Sequence, residues 1–198
     1  MEKSKVAITG GIGSGKSTAL LYLKELGYPV FSCDEINKTL LLDAKYLEKL
    51  ANLFPDCVID GKIDKSALKN KVFKNPDELK KLNTLAHGAI MSRLFSAIEQ
   101  SEGTLVFAEV PLLFEGNYEK DFDEIIVIMR NLDNRIAAVQ KRDGLTKQEI
   151  LDRIAVQFDY DLVQEHIKNL PVYLIENEGD ELSLKTKLQA VINKIEKP

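Results

Sequence analysis

A short apolar run, Val6-Ala7-Ile8-Thr9, passes directly into Gly10-Gly11-Ile12-Gly13-Ser14-Gly15-Lys16-Ser17, and this junction constrains the chain more than any other stretch. The run reads as a buried strand. Lys16 to Leu26 follow with a helical pattern, and Gly27 stands where a helix end favours glycine. Tyr28-Pro29 then turns the chain into a second strand, Val30-Phe31-Ser32-Cys33, which ends at Asp34. Strand, loop, helix and strand make a βαβ unit, which favours a parallel sheet. The octapeptide fits G-x-x-x-x-G-K-[ST], and a place between strand and helix is the context that gives this pattern physical meaning. Glycines let backbone N–H groups converge on phosphate oxygens. The helix N-terminus adds the positive end of its dipole. On this reading Gly11, Ile12, Gly13, Ser14, Gly15, Lys16, Ser17 and Thr18 cradle the phosphates of a nucleotide, with Lys16 on the β- and γ-phosphates and the Ser17 hydroxyl on Mg²⁺. A glycine-rich turn with a solvated lysine is the alternative, and the agreement of motif with context weighs against it.

Downstream, Asp43 is placed to cap a helix carrying Leu47, Leu50, Ala51 and Phe54 on one stripe. Asp60-Gly61 marks a turn, Asp64 caps a further helix, and Asn75-Pro76 ends that helix and starts a longer one. Residues 35 to 100 therefore read as almost wholly helical. Strands return at Thr104 to Val110 and Glu124 to Met129. Leu132 to Arg142 reads as a helix stopped by Asp143-Gly144. Thr146 and Glu149 have capping-box spacing for the next helix, which is expected to run to about Phe158. Pro171 to Glu176 gives another strand, and Leu184, Leu188, Val191 and Ile195 place a stripe on a last helix. The expected architecture is α/β: a parallel β-sheet core flanked by helices, with a helical insertion and a second helical excursion. The core takes about 1–34, 104–141 and 169–198, the insertion about 60–103 and the excursion about 142–168.

Composition narrows the function. The 198 residues suit one domain with an insertion, and 27 Lys plus Arg against 31 Asp plus Glu leave a net charge of -4. Such a chain has no excess positive field with which to hold nucleic acid. Apolar runs such as Ile125–Met129 are too short to span a bilayer. The glycine-rich loop and Lys16 interrupt anything like a secretory signal, and two cysteines without a CxxC pair fit a reducing cytoplasm.

The loop fits several classes of phosphate-handling protein. A guanine-reading N-K-x-D segment is not formed by Asn37-Lys38-Thr39-Leu40 or Asn70-Lys71-Val72-Phe73, and the chain is short for a motor or transporter ATPase. Helical excursions beside a phosphate loop suit a small-molecule kinase, which must exclude water during transfer. Four of the five arginines, Arg130, Arg135, Arg142 and Arg153, fall across the helix pair that brackets Asp143-Gly144. Arginine neutralises charge in phosphoryl transfer, so a closing lid is one reading. A solvated helix face with pairs such as Glu149 to Arg153 is the other, and for Arg130 and Arg135 the two stand level. Asp34, at a strand's carboxyl end, suits a base on an attacking hydroxyl and equally a helix cap. Glu109 suits Mg²⁺ through water, or a substrate, or an ordinary strand end.

Taken together, these residues resemble the dephospho-CoA kinase family of P-loop kinases. The matching pieces are Ile8 to Thr18, Leu26-Gly27-Tyr28-Pro29-Val30 leading to Asp34, Leu82-Asn83 with His87, Val110-Pro111-Leu112-Leu113-Phe114-Glu115, Arg142 to Thr146, Arg153-Ile154 with Gln157, and Ile175 with Asn177 and Gly179. They follow in family order along nearly the whole chain. The resemblance implies a P-loop kinase fold with a helical substrate-binding insertion and a helical lid. It implies ATP-dependent phosphorylation of the ribose 3′-hydroxyl of dephospho-CoA, the last step of coenzyme A synthesis, with Asp34, Lys16 and Arg142 catalytic. Arg142, Asn177 and Gly179 would join the loop in holding ATP. Asp34, His87, Glu109, Pro111, Leu112 and Leu113 would receive the acceptor, although His87 serves equally well as a helix-packing residue. The family's Asp-Ala-Asp is Ser32-Cys33-Asp34 here, the arginine that follows is Lys38, the proline after the histidine is Gly88, the aspartate before the valine is Glu109, and the Asn-Asn-Gly is Asn177-Glu178-Gly179. A kinase of nucleosides or nucleotides, and a nucleotide-sensing module with little turnover, are the rival readings.

Overall fold

The structure, a computed structural model, describes residues 3–59, 61–73, 75–167 and 169–197. Its contacts divide the chain into two compact units, residues 1–30 with 101–198, and residues 31–100.

The first unit is built on parallel strands. Strand β1 (Ser4–Thr9) pairs on one side with β5 (Leu105–Glu109), from Ser4 opposite Leu105 to Ile8 opposite Glu109. On its other side lies β6 (Glu124–Met129), from Val6 opposite Glu124 to Thr9 opposite Val127. Strand β7 (Val172–Glu176) pairs with β6 in the same direction. The short β2 (Val30–Ser32) lies beyond β5, giving the order β2-β5-β1-β6-β7. The three central strands carry apolar side chains on both faces, and β5 is buried at every residue, as a parallel sheet covered by helices requires. One layer of the core joins Val6, Ile8, Phe107, Ile126 and Ile128 to Leu20 and Leu23 of α1 (Lys16–Glu25) and to Leu188 and Ile192 of α9 (Glu181–Ile195). A smaller cluster joins Ile136 and Val139 of α6 (Leu132–Asp143) to Ile150 of α7 (Lys147–Ala155), with Ile12 packed against it.

The second unit holds α2 (Cys33–Leu40), α3 (Ala44–Leu53), α4 (Lys65–Phe73) and the long α5 (Pro76–Gln100). Leu50, Phe54, Cys57 and Val72 form its core. Arg93 of α5 pairs with Asp43, which also accepts the Tyr46 N–H at 2.8 Å as the cap of α3. That backbone bond, with the nearby Arg93 guanidinium, holds the Asp43 carboxyl below its ordinary range. A two-stranded hairpin, β3 (Val58–Ile59) with β4 (Lys62–Ile63), interrupts the helices.

Local signals landed where the spacing placed them. Asp64 accepts from Ser66 and Ala67 N–H groups, Asn75 from Asp77 and Glu78, and the Thr146–Glu149 capping box is formed. Two expectations need correction and a third needs an addition. The second strand stops at Ser32, so Cys33 already belongs to α2 and Asp34 lies in its first turn, where carboxylates face the positive end of the helix. The almost wholly helical stretch expected over 35–100 is present but interrupted by a strand pair that was not foreseen, the β-branched Val58, Ile59 and Ile63 pairing as the hairpin around Gly61; Asp60 of the expected turn lies outside the described residues. Helix α7 ends at Ala155, short of Phe158, whose ring turns to meet Phe114 at 4.5 Å between centroids.

Leu23 is fully buried between α9 and the sheet, while Leu42 is 85% exposed. Leu23→Ala is expected to lower unfolding free energy by about 2–5 kcal/mol, and Leu42→Ala to change it by no more than about 0.5 kcal/mol. Urea denaturation of the two variants measures both.

Candidate active site

The loop between β1 and α1 leaves the sheet at its middle strand, on the carboxyl edge where open α/β sheets bind ligands. Gly10 has φ 146°, and a Cβ there would come within 2.3 Å of the Ile128 carbonyl oxygen. Only glycine allows both that angle and that approach. Gly15, at φ 106°, caps α1. Helices α3, α6, α7 and α9 begin with side-chain caps from Asp43, Asn131, Thr146 and Asp180. Helix α1 begins without one and has no acidic residue in its first turn, so the positive end of its dipole faces the loop uncompensated.

Several side chains shape this loop. Lys16 Nζ donates to the carbonyls of Gly10 at 2.7 Å and Gly11 at 3.2 Å. Asn177 is buried, and its Nδ2 donates to the Ser14 carbonyl at 2.7 Å. Arg135 Nε donates to the Ile12 carbonyl at 3.0 Å, and the Ile12 N–H donates to Gln157 Oε1 at 2.9 Å. Ser14 is 1% exposed, yet its Oγ makes no hydrogen bond within the protein, and neither does Arg130 Nε. An orphaned hydroxyl inside a glycine cradle at an uncapped helix start is what a loop built to receive phosphate oxygens presents. A cavity of about 480 Å³ adjoins the loop and is lined by Ser14, Arg130, Arg135, Gln157 and Phe158 among others. These groups fit an anionic ligand. Among the described residues, no group of three or more His, Cys, Asp or Glu side chains is arranged to hold a metal ion.

The remaining expected site residues are spread over both units. In the first, Glu109 ends β5 and is nearly buried, and Pro111 follows two residues later. Leu112 is 38% exposed, whereas Leu113 is fully buried in the core. The Pro111 carbonyl accepts from the Tyr160 hydroxyl at 3.5 Å, and that hydroxyl also lies 3.1 Å from Thr9 Oγ1. Glu115 accepts the Phe158 N–H at 2.8 Å, so the Pro111–Glu115 element is stitched to the segment that follows α7. Arg142 lies in the last turn of α6, with Nε and Nη2 donating to the two carboxylate oxygens of Asp143 at 2.7 and 2.8 Å. That hydrogen-bonded pair holds the Asp143 carboxyl below its ordinary range. Gly179 sits where a Cβ would crowd the Ser183 side chain. In the second unit, Asp34 lies in the first turn of α2, and His87 is half-buried on α5.

Sequence reasoning missed two contacts at the loop and one beside it. For Arg135 it left a lid role and a solvated face level, but the residue bonds the loop and is half-buried against it. The signal was present: Arg135 precedes the buried Val139 by four positions, so it shares that residue's inward face. Asn177 holds Ser14 directly. Glu178 binds the N–H and the side chain of Asn131, the cap of α6, and the Asn134 amide at 2.9 Å. The segment of Asn177 and Gly179, expected to help hold ATP, thus also ties α6 to the loop.

Residues 4–181 match the family model described as dephospho-CoA kinase (CoaE). A dephospho-CoA kinase of Thermus thermophilus is 34% identical over 187 residues, covering 94% of this chain and 89% of the relative. The crystal structure of TT1252 from Thermus thermophilus superposes with a TM-score of 0.84 at 32% identity, covering 98% of this chain and 99% of that one. A dephospho-CoA kinase from Campylobacter jejuni shares the fold, with a TM-score of 0.71 at 24% identity over 98% of both chains. With its glycine cradle at the head of α1 and this match over nearly its whole length, the chain belongs to the dephospho-CoA kinase family.

Proposed function

We propose that the protein transfers the γ-phosphoryl group of ATP to the ribose 3′-hydroxyl of dephospho-CoA, giving coenzyme A and ADP, the last step of coenzyme A biosynthesis. The observation that carries this reading is a phosphate-shaped loop on the central strand of a chain that matches one kinase family from residue 4 to 181. Gly11 to Thr18 hold the triphosphate through main-chain N–H groups, and Lys16 supplies the charge on the β- and γ-phosphates. The Ser17 hydroxyl is the chain's ligand for Mg²⁺, which when bound neutralises charge on the phosphate oxygens. Asp34 accepts the 3′-hydroxyl proton as that oxygen bonds the γ-phosphorus and the bond to ADP breaks. Its position two residues beyond β2, in the first turn of α2, supports this role. Arg142 leaves Asp143 to stabilise the transferring group, and Asn177 and Gly179 lie on the nucleotide side. His87, Glu109 and Pro111 to Leu113 serve the acceptor, Leu113 through its main chain because its side chain is buried.

In this reading residues 142–168 form the lid that excludes water. Residues 60–103 receive the acceptor, and 1–34, 104–141 and 169–198 form the core. The partner is a small molecule rather than nucleic acid or membrane. Among the described residues no helix is long and apolar enough to cross a bilayer, and the proposed setting is the cytoplasm.

Incubation with ATP, Mg²⁺ and dephospho-CoA is expected to yield coenzyme A by mass spectrometry, while a parallel mixture of nucleosides and nucleotides stays unphosphorylated. Phosphate appearing on a nucleoside instead would overturn the acceptor. Asp34→Asn is expected to keep ATP binding and lose about 10²- to 10⁴-fold in kcat; an undiminished rate would remove Asp34 from the chemistry. Arg142→Lys keeps the charge but not the fork, and a fall of roughly 10- to 100-fold in kcat is expected. An unchanged rate would return Arg142 to the surface.

A further inference from the structure

Both main-chain groups of Ile12 are held by side chains from distant segments. Its carbonyl accepts Arg135 Nε from α6, and its N–H donates to Gln157 Oε1, two residues past the end of α7. Arg135 Nη2 reaches the same Gln157 oxygen at 3.5 Å, which closes a ring around a single residue of the loop. The guanidinium lies so close to Gly11 that a Cβ there would fall 2.3 Å from Nη2. The Ile12 side chain is fixed as well, against Ile136, Val139 and Ile150. Arg135 is half-buried; burial pulls its guanidinium below the ordinary range, against the opposing pull of Tyr160 and Asp161. Neither Arg135 nor Gln157 caps a helix or fills the hydrophobic core. Arg135 Nε and Gln157 Oε1 are both directed at one residue of the loop.

We propose that Arg135 and Gln157 are positioning residues that hold the loop in its nucleotide-binding shape through the main chain of Ile12, and that they make this shape depend on where the segment after α7 lies. The inference rests on the reading of residues 10–17 as the ATP loop. A loop already shaped avoids the cost of ordering itself when ligand arrives. Gln157 is fastened to α7 by its own N–H on the Ile154 carbonyl, and its neighbour Phe158 donates to Glu115. Movement of the α7 segment therefore takes the acceptor away from the Ile12 N–H. By linkage, nucleotide held in the loop favours the α7 position that keeps Gln157 in place.

The test is calorimetric binding of the non-hydrolysable analogue AMP-PNP with Mg²⁺, together with thermal melting, on the full chain. Arg135→Ala and Gln157→Ala are each expected to weaken binding by about 3- to 20-fold. The double variant should lose little more than the worse single one, because both act on one residue and on each other. Gln157→Glu keeps an acceptor for the Ile12 N–H and should bind within about threefold of wild type, a rescue that a space-filling role would not produce. In turnover, KM for ATP should rise while KM for dephospho-CoA stays. Variants that bind the analogue like wild type, or single losses that add fully in the double variant, would overturn the proposal and leave the ATP loop standing. Should an alanine variant fail to show a folded melting transition, Arg135→Met decides: it keeps an unbranched apolar stem but no donor for Ile12 or Gln157, and wild-type affinity in it overturns the clamp. Wild-type protein that does not bind the analogue at all would overturn both the loop reading and this inference.

Discussion

The rest of the molecule depends on the pairing of β1 with parallel neighbours on both sides. Ile8 lies opposite Glu109 on one flank and Ile126 on the other, and the Val110 N–H donates to the Ile8 carbonyl at 3.0 Å. This register fixes the height at which the chain leaves the sheet. It brings Gly10 against the Ile128 carbonyl, where no side chain fits, and so sets the direction of the loop. A one-residue slip would move every apolar side chain of β1 to the opposite face. With both faces buried, the sheet holds that register against considerable cost, and the loop inherits its precision from the ladder.

The electrostatics of the loop run against the whole chain. The protein carries a net charge of -4, yet the loop collects Lys16, Arg130 and Arg135 and the bare positive end of α1. Helices α3, α6, α7 and α9 are capped by Asp, Asn or Thr side chains, which satisfy first-turn N–H groups locally. Helix α1 forgoes that stabilisation, and its burial of Leu20 and Leu23 against the sheet offsets the loss. An unfavourable helix start on a well-packed helix is a way to keep main-chain donors available without unfolding the element that carries them.

The family's altered positions have particular consequences in this framework. Glu178 stands where the family pattern has asparagine, and its carboxylate binds the start of α6 rather than the loop itself. Asn177 beside it holds Ser14. Two adjacent residues therefore connect the end of β7 to both the helix and the loop, and Arg135 closes the circuit from α6 back to Ile12. The loop is held on several sides by groups with unrelated local environments, which makes its shape a property of the whole first unit.

What the sequence determined by itself was everything governed by interactions within a few residues. The caps by Asp43, Asp64 and Asn75 and the Thr146–Glu149 box were legible because each joins groups two or three positions apart. The central strands were legible because burial on both faces leaves an unbroken apolar run, and the loop because its glycines, lysine and serine are contiguous. The hairpin of Val58 and Ile63 and the early end of α7 were missed because packing partners, Phe114 among them, overrode local preference. The strand order, the seating of Arg135 and Gln157 on Ile12, and the bond from Asn177 to Ser14 were decided by the tertiary structure alone. Those contacts join residues more than a hundred positions apart, and no periodicity in the chain encodes which distant side chain meets which main-chain group; only the closed sheet and its packed helices bring them together.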